Sequence, residues 1–177
     1  MTESRYEKVA LAMLVENNAG VLARVALMFG RRGFNIDSLT VSETNDPGIS
    51  RITITTQGDQ KIIEQIVLQT QKLIEVRAVR VENVEGDILR ELLLVKLSTT
   101  DDQRSRILEI CQIYKADIVD LTKSSLIIEL TGKPTKVDAF LDVLSPYRII
   151  ELCRTGLTAI SRGPDVLEYD RKESHRA

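Results

Sequence analysis

Residues 8–43, KVALAMLVENNAGVLARVALMFGRRGFNIDSLTVSE, change hydrophobic period twice, and those changes set out the fold. Val9, Leu11, Met13 and Val15 alternate along one face of an extended segment. The positions between them are apolar as well, which predicts a strand buried on both sides. From Val21 the period lengthens: Val21, Leu22, Val25, Met28 and Phe29 recur at helical spacing. This predicts a helix from about Gly20 to Arg32 that stops at Gly33. Alternation then returns in the β-branched FNIDSLTVSE, a second strand. Asn17, Asn18 and Gly20 stand at the mouth of the helix, with Gly33 and Asn35 just past its end. None of them is a catalytic residue type, so their placement calls for another reason.

The pattern continues outward. TNDPG (44–48) is a turn cluster leading into ISRITITT (49–56), a strand that completes a hairpin. Ile62, Ile63, Ile66 and Leu73 mark a second helix, and EVRAVRVEN (75–83) closes the set. The order is β-α-β-β-α-β. It recurs in RELLLVKLS, the helix carrying Ile107, Leu108, Cys111 and Tyr114, ADIVDLTK, SLIIELTG, the helix of Val137, Phe140, Leu141 and Leu144, and IIELCRTGL. The start of the first of these helices, TTDD, is a capping and acid-rich first turn. A period of roughly eighty residues indicates duplicated domains. The boundaries read as 6–83 and 84–163, followed by a polar tail, 164–177. This is an α+β protein with two ferredoxin-like βαββαβ domains. Each sheet has a second face to cover, and Leu14, Leu39 and Leu94 on the strands point to a second chain as the cover.

Composition narrows the function. The net charge is −2, and residues 1–83 and 84–177 carry nearly balanced charges, so neither half has the electrostatic footprint of a nucleic-acid or membrane-surface binder. The strands lack the aromatics on which an RNA-binding module of this topology stacks bases. No basic DNA-reading helix is visible. An acyl-phosphate hydrolase of this topology needs an arginine in the loop after the first strand; here that loop is ENNAGVL, and Arg24 lies a turn inside the helix on its solvated face. A metal carrier needs paired cysteines there. Cys111 and Cys153 lie in separate apolar segments and read as buried, unpaired thiols, while the one histidine, His175, sits alone in the charged tail. No run is long enough to span a bilayer, and MTESRYEK lacks the apolar stretch of a signal peptide, so a cytoplasmic protein is expected.

A ligand-sensing module remains. The first turn of a helix offers unpaired N–H groups and a partial positive charge, and Gly20 permits close approach of a carboxylate. Asparagine both donates and accepts, so Asn17 and Asn35 suit the two ends of a zwitterion. Helix capping by Asn17 or Asn18 explains the same residues, and spacing alone leaves both readings open.

RRGFNIDSLTV (31–41) followed by DPGISRITI (46–54) resembles the N-terminal ACT domain of the regulatory small subunit of acetohydroxyacid synthase, also called acetolactate synthase. The resemblance extends more loosely through GDILRELLLVKL, RSRILEI and DIVDLT to GLTAISRG, covering about residues 6–165. It implies a non-catalytic chain with no cofactor of its own. The partner would be a large catalytic subunit carrying thiamine diphosphate, a divalent metal such as Mg and FAD. That partner would be activated by this chain and made sensitive to feedback inhibition by valine, leucine or isoleucine, valine foremost. ACT domains pair as a homodimer with the effector between them. Carried over by position, the N-x-x-G element falls on Asn17 and Gly20. The amides around Ala19, Gly20 and Val21 then form the carboxylate seat, and Asn35 and Ile36 come from the neighbouring domain. The second half has Thr, Asp and Gln in place of this element, so one effector-binding half and one half for assembly are expected. The competing reading is a free-standing amino-acid-sensing ACT protein that regulates another enzyme.

Overall fold

The computed structural model describes residues 7–83 and 85–169; His175 and the end of the tail lie outside them. The described residues divide into two compact units, Leu89–Thr158 and the remainder, so that Ala159–Tyr169 belong with the first.

In the first unit the elements are β1 (Glu7–Glu16), α1 (Val21–Arg31), β2 (Ser38–Glu43), β3 (Ile49–Gly58), α2 (Gln60–Gln71) and β4 (Val76–Val81). The antiparallel sheet has the order β2-β3-β1-β4, which leaves β2 and β4 at its edges. The alternation in β1 places Leu11, Met13 and Val15 on the helix side. There they join Ile52 and Ile54 of β3, Val21, Val25 and Phe29 of α1, and Ile66 of α2 in one buried cluster. Phe34 closes the end of this core with an edge-on contact to Phe29, ring centroids 6.2 Å apart. That contact holds Phe34–Asp37 in a connection, so β2 starts at Ser38, later than the predicted FNIDSLTVSE strand.

The opposite face of the sheet carries small and polar groups. Ala12 sits between Thr53 and Arg80, and Leu14 between Arg51 and Ala78. Leu14 is buried here, but Leu39 does not share this face as expected. Its register against Ile54 turns it to the helix side, where it packs on the core. Leu94 of the second unit is 37% exposed.

α2 begins at Asp59, whose Oδ1 accepts the Ile62 N–H at 2.9 Å. Asp59→Ala removes this cap and is expected to cost about 1 kcal/mol of stability, read as a lower urea midpoint at unchanged slope.

The second unit repeats the plan with β5 (Ile88–Ser98), α3 (Asp101–Tyr114), β6 (Asp117–Leu121), β7 (Ser125–Gly132), α4 (Pro134–Leu144) and β8 (Arg148–Arg154), with β6-β7-β5-β8 consecutive in its sheet. Leu93, Val95, Leu97, Ile107, Cys111, Leu126, Ile128, Leu130, Val137, Phe140 and Leu144 form its core. α3 starts at Thr100, whose N–H donates to Gln103 Oε1 at 3.2 Å, one arm of a capping box. Cys111 is buried as expected, and burial pushes its thiol pKa up. Cys153 is not buried: β8 is an edge strand with little packed against it, and the thiol is exposed. A three-residue strand, β9 (Thr158–Ile160), ends the regular structure.

Candidate functional site

The loop between β1 and α1 is built by long-range hydrogen bonds. At its entry the Asn17 N–H donates to the Gly48 carbonyl at 2.8 Å. The Asn17 side-chain amide donates twice, to Glu43 Oε1 at 2.9 Å and to the Pro47 carbonyl at 3.0 Å. The β2–β3 turn therefore grips Asn17 from two directions and engages its side-chain amide donors. Asn18 donates to Glu16 Oε2 at 3.0 Å, and Glu16 is in turn paired with Arg77. Neither asparagine caps α1, contrary to the capping reading.

The cap position is Gly20, with φ +85° and no side-chain cap. An L-residue is strained at this dihedral, which accounts for the glycine. A Cβ built there meets nothing within 4 Å, so the space in front of it is open. The helix start thus presents a partial positive charge without an acidic residue in its first turn to neutralise it. Ala19 is exposed and Val21 is buried in the core, so Ala19 and Gly20 present backbone while Val21 anchors the helix. Arg24 points outward, 63% exposed, and pairs with Glu75.

Asn35 lies elsewhere. Its Nδ2 donates to Asp37 Oδ1 at 2.7 Å, and its carbonyl accepts the Thr56 hydroxyl at 2.6 Å. Ile36 is half-buried against the core. Asn17 and Asn35 flank opposite ends of an eleven-residue helix, which separates them by about 16 Å. The sheet register agrees: Asn17 bonds to Gly48 just before β3, whereas Asp37 bonds to Thr55 well along it. Within one chain the six expected positions therefore fall into two separate groups, Asn17–Val21 and Asn35–Ile36. Sequence reasoning missed Glu43, Pro47 and Gly48 as the groups that hold Asn17. TNDPG is legible as a turn, but only strand register brings that turn to the β1–α1 loop.

The matching position of the second unit is unlike this one. The first turn of α3 holds Asp101 and Asp102, and Asp101 pairs with Arg104 at 2.9 Å. Two carboxylates at a helix start repel a third. The second unit does have an open cavity of about 420 Å³, lined by Arg90, Lys133, Lys136, Thr131, Gly132 and Thr135, which suits an acidic surface. Among the described residues no group of three or more His, Cys, Asp or Glu could hold a metal ion, and no helix is long and apolar enough to cross a membrane.

Two βαββαβ units of ferredoxin type, the first an ACT domain, define a regulatory class of protein. A family model for the ACT domain of acetohydroxyacid synthase small subunits matches residues 11–78, and one for the small subunit of acetolactate synthase matches residues 90–163. The chain belongs to the acetolactate synthase small-subunit family. It is 48% identical over 156 residues to a probable acetolactate synthase small subunit of Archaeoglobus fulgidus, covering 88% of this chain and 98% of that one. It is 42% identical over 154 residues to the acetolactate synthase small subunit of Mycolicibacterium smegmatis, covering 87% and 91%. The crystal structure of the small subunit from Thermotoga maritima superposes with a TM-score of 0.82 at 40% identity, covering 89% and 98%.

Proposed function

We propose that this chain activates the catalytic large subunit of acetolactate synthase and makes it sensitive to feedback inhibition by branched-chain amino acids, valine foremost. The observation that carries this reading is the pair of residue groups at opposite ends of α1, read as two half-sites. The Asn17–Gly20 loop is an open, positively polarised seat for a carboxylate. Asn35 and Ile36 lie at the far end of α1, next to the start of edge strand β2. Antiparallel pairing of two β2 edges about a two-fold axis brings the start of one β2 beside the end of the other. That end is Glu43, which is bonded to Asn17. A homodimer formed this way joins the half-sites into two composite sites, with Ile36 of the partner chain meeting the aliphatic side chain of the effector.

Inhibition then follows by linkage. An amino acid that binds the paired arrangement better in one state of the complex shifts the population toward it, with a coupling of about 1–3 kcal/mol. The reaction itself belongs to the large subunit, where thiamine diphosphate, Mg and FAD would reside. A free-standing amino-acid sensor would share the first unit, but the second-unit family match over residues 90–163 favours the synthase complex.

The test is to mix the chain with cognate large subunit and assay acetolactate formation with and without valine, leucine and isoleucine. The expected result is stimulation by the chain and inhibition by at least one of the three. Absence of stimulation by every cognate large subunit would overturn the proposal.

A further inference from the structure

The chain returns to the first unit after Thr158, and the stretch that follows is linked to the loop carrying Asn17 by two indirect routes. The first runs through Asp46. The Tyr169 hydroxyl donates to Asp46 Oδ2 at 2.8 Å. The other oxygen of the same carboxylate, Oδ1, accepts the Gly48 N–H at 3.0 Å. The Gly48 carbonyl accepts the Asn17 N–H, and the neighbouring Pro47 carbonyl accepts the Asn17 side-chain amide. Two residues, Asp46 and Gly48, thus connect Tyr169 to Asn17. The second route runs through Arg77, which lines a cavity of about 480 Å³ with Val166, Leu167, Glu168 and Tyr169. Arg77 pairs with Glu16, and Glu16 accepts from the Asn18 amide.

Both routes end on the β1–α1 loop, at Asn17 and Asn18. The first of them passes through the β2–β3 turn, which carries bonds of its own: the Thr44 N–H donates to the Ile49 carbonyl, the Ile49 N–H to the Asp46 carbonyl and the Asp46 N–H to the Thr44 hydroxyl oxygen. Half-buried Asp46 and exposed Pro47 and Gly48 form the hairpin tip, and the Thr44 hydroxyl bonds to the Asp46 and Ile49 carbonyls. A carboxylate that bonds one side to its own turn and the other to a tyrosine from 123 residues away ties that tip to the returning segment. Bonds to a charged acceptor are among the stronger kind, and this one is half-buried.

We propose that the segment Val166–Tyr169 is a strap that sets the geometry of the effector seat, with Tyr169 and Asp46 as positioning residues for Asn17. This rests on the assignment of that loop to the effector. The strap contributes no atom to the ligand; it holds the turn that aims Asn17 and keeps Gly48 and Pro47 oriented as acceptors. Loss of the tyrosine hydroxyl removes the tie between the tip and the returning segment and lets the Asn17 amide sample orientations that do not match the ligand.

The experiment compares wild-type full-length chain with Tyr169→Phe and Asp46→Asn. Calorimetric titration with L-valine is paired with residue-resolved amide hydrogen exchange of the unliganded chains. Tyr169→Phe is expected to weaken valine binding about fivefold, the low end of typical coupling between sites. Exchange at the Asn17 and Gly48 amides is expected to quicken, while amides of β5 and β7 stay as they were. Rates at Asn17 and Gly48 equal to wild type in both variants would overturn the strap, as would wild-type valine affinity in Tyr169→Phe. If the wild-type chain binds none of valine, leucine and isoleucine, the effector reading falls; faster exchange at Asn17 in the variants then still supports the strap as a device acting on that loop.

Discussion

Replacing Gly20 by aspartate is expected to abolish valine inhibition of the reconstituted synthase while leaving its stimulation by the small subunit largely intact. The separation of the two effects follows from the local geometry. Gly20 sits at φ +85° at the cap of α1, and its position faces open space, so a side chain there displaces nothing in the fold. Aspartate is among the few residues that enter the left-handed region, at a strain of about 1–2 kcal/mol. A carboxylate at a helix start also interacts favourably with the helix dipole, which offsets part of that strain. The variant is therefore expected to fold and to retain its other surfaces. On the proposed reading of the loop, the new carboxylate stands where the ligand's own would sit and repels it. A loss of more than about 100-fold in valine affinity corresponds to roughly 2.7 kcal/mol, a modest demand for two carboxylates at one seat. Asn17→Ala removes the side-chain bonds to Glu43 and Pro47 and is expected to act in the same direction. The measurement is acetolactate formation against valine concentration for the wild-type and variant complexes. Stimulation destroyed with valine inhibition retained in Gly20→Asp would mean that this loop faces the catalytic subunit and the effector seat is elsewhere.

What the sequence conveyed depended on whether a signal was local. Each helix and strand is announced by a change of period, and the two-unit order was legible because Leu11, Met13 and Val15, or Leu93, Val95 and Leu97, alternate without interruption. The positions of the site were legible as residue types at a helix entry. Their bonding was not. Capping by Asn17 or Asn18 is the local expectation, yet Glu43, Pro47 and Gly48 take those donors because strand register brings them close. Burial at edges was misjudged for the same reason. Cys153 lies in an apolar segment, but on an edge strand that lacks a neighbour on one side. Leu39 was assigned to the uncovered face, and only its pairing with Ile54 reveals the opposite. The tail gave no periodic signal at all, because its attachment rests on single polar contacts such as Tyr169 to Asp46.

Two other contacts of the returning segment, at Ala159 and Ser161, share an anchor at Glu82, and its removal is expected to be the most damaging to stability of the substitutions considered. The Glu82 side chain is fully buried. Its two oxygens accept from Arg51 at 2.8 Å and from Arg80 at 2.9 Å. Arg51 also donates to the Ala159 carbonyl at 2.9 Å, and Arg80 bonds to the Ser161 hydroxyl, so one carboxylate orients both guanidinium groups that fasten the returning segment. Glu82→Ala leaves two arginines facing each other in a largely enclosed space. Breaking a buried pair in this way costs about 3 kcal/mol, at the lower end of the usual range because both arginines keep some access to water. Denaturant unfolding of the variant is the check; a loss below about 0.5 kcal/mol, the level of ordinary surface substitutions, would show that the cluster is not an anchor. The pH dependence has a definite sign. Burial, together with the hydrogen bond to Asp87, raises the Glu82 pKa against the pull of the arginines. The same hydrogen bond, with the Asn83 N–H, lowers that of Asp87. A raised folded-state pKa contributes stability that is present below the unfolded value and lost as pH rises through the folded one. The depressed Asp87 contributes stability present above its unfolded value and lost as pH falls through its folded one. The pair therefore favours an intermediate window in which one proton is shared between the two carboxyls. Glu82→Gln, which keeps the shape and removes the ionisation, is expected to remove the decline on the alkaline side of that window. An alkaline decline as steep as wild type in Glu82→Gln would place its origin at another group.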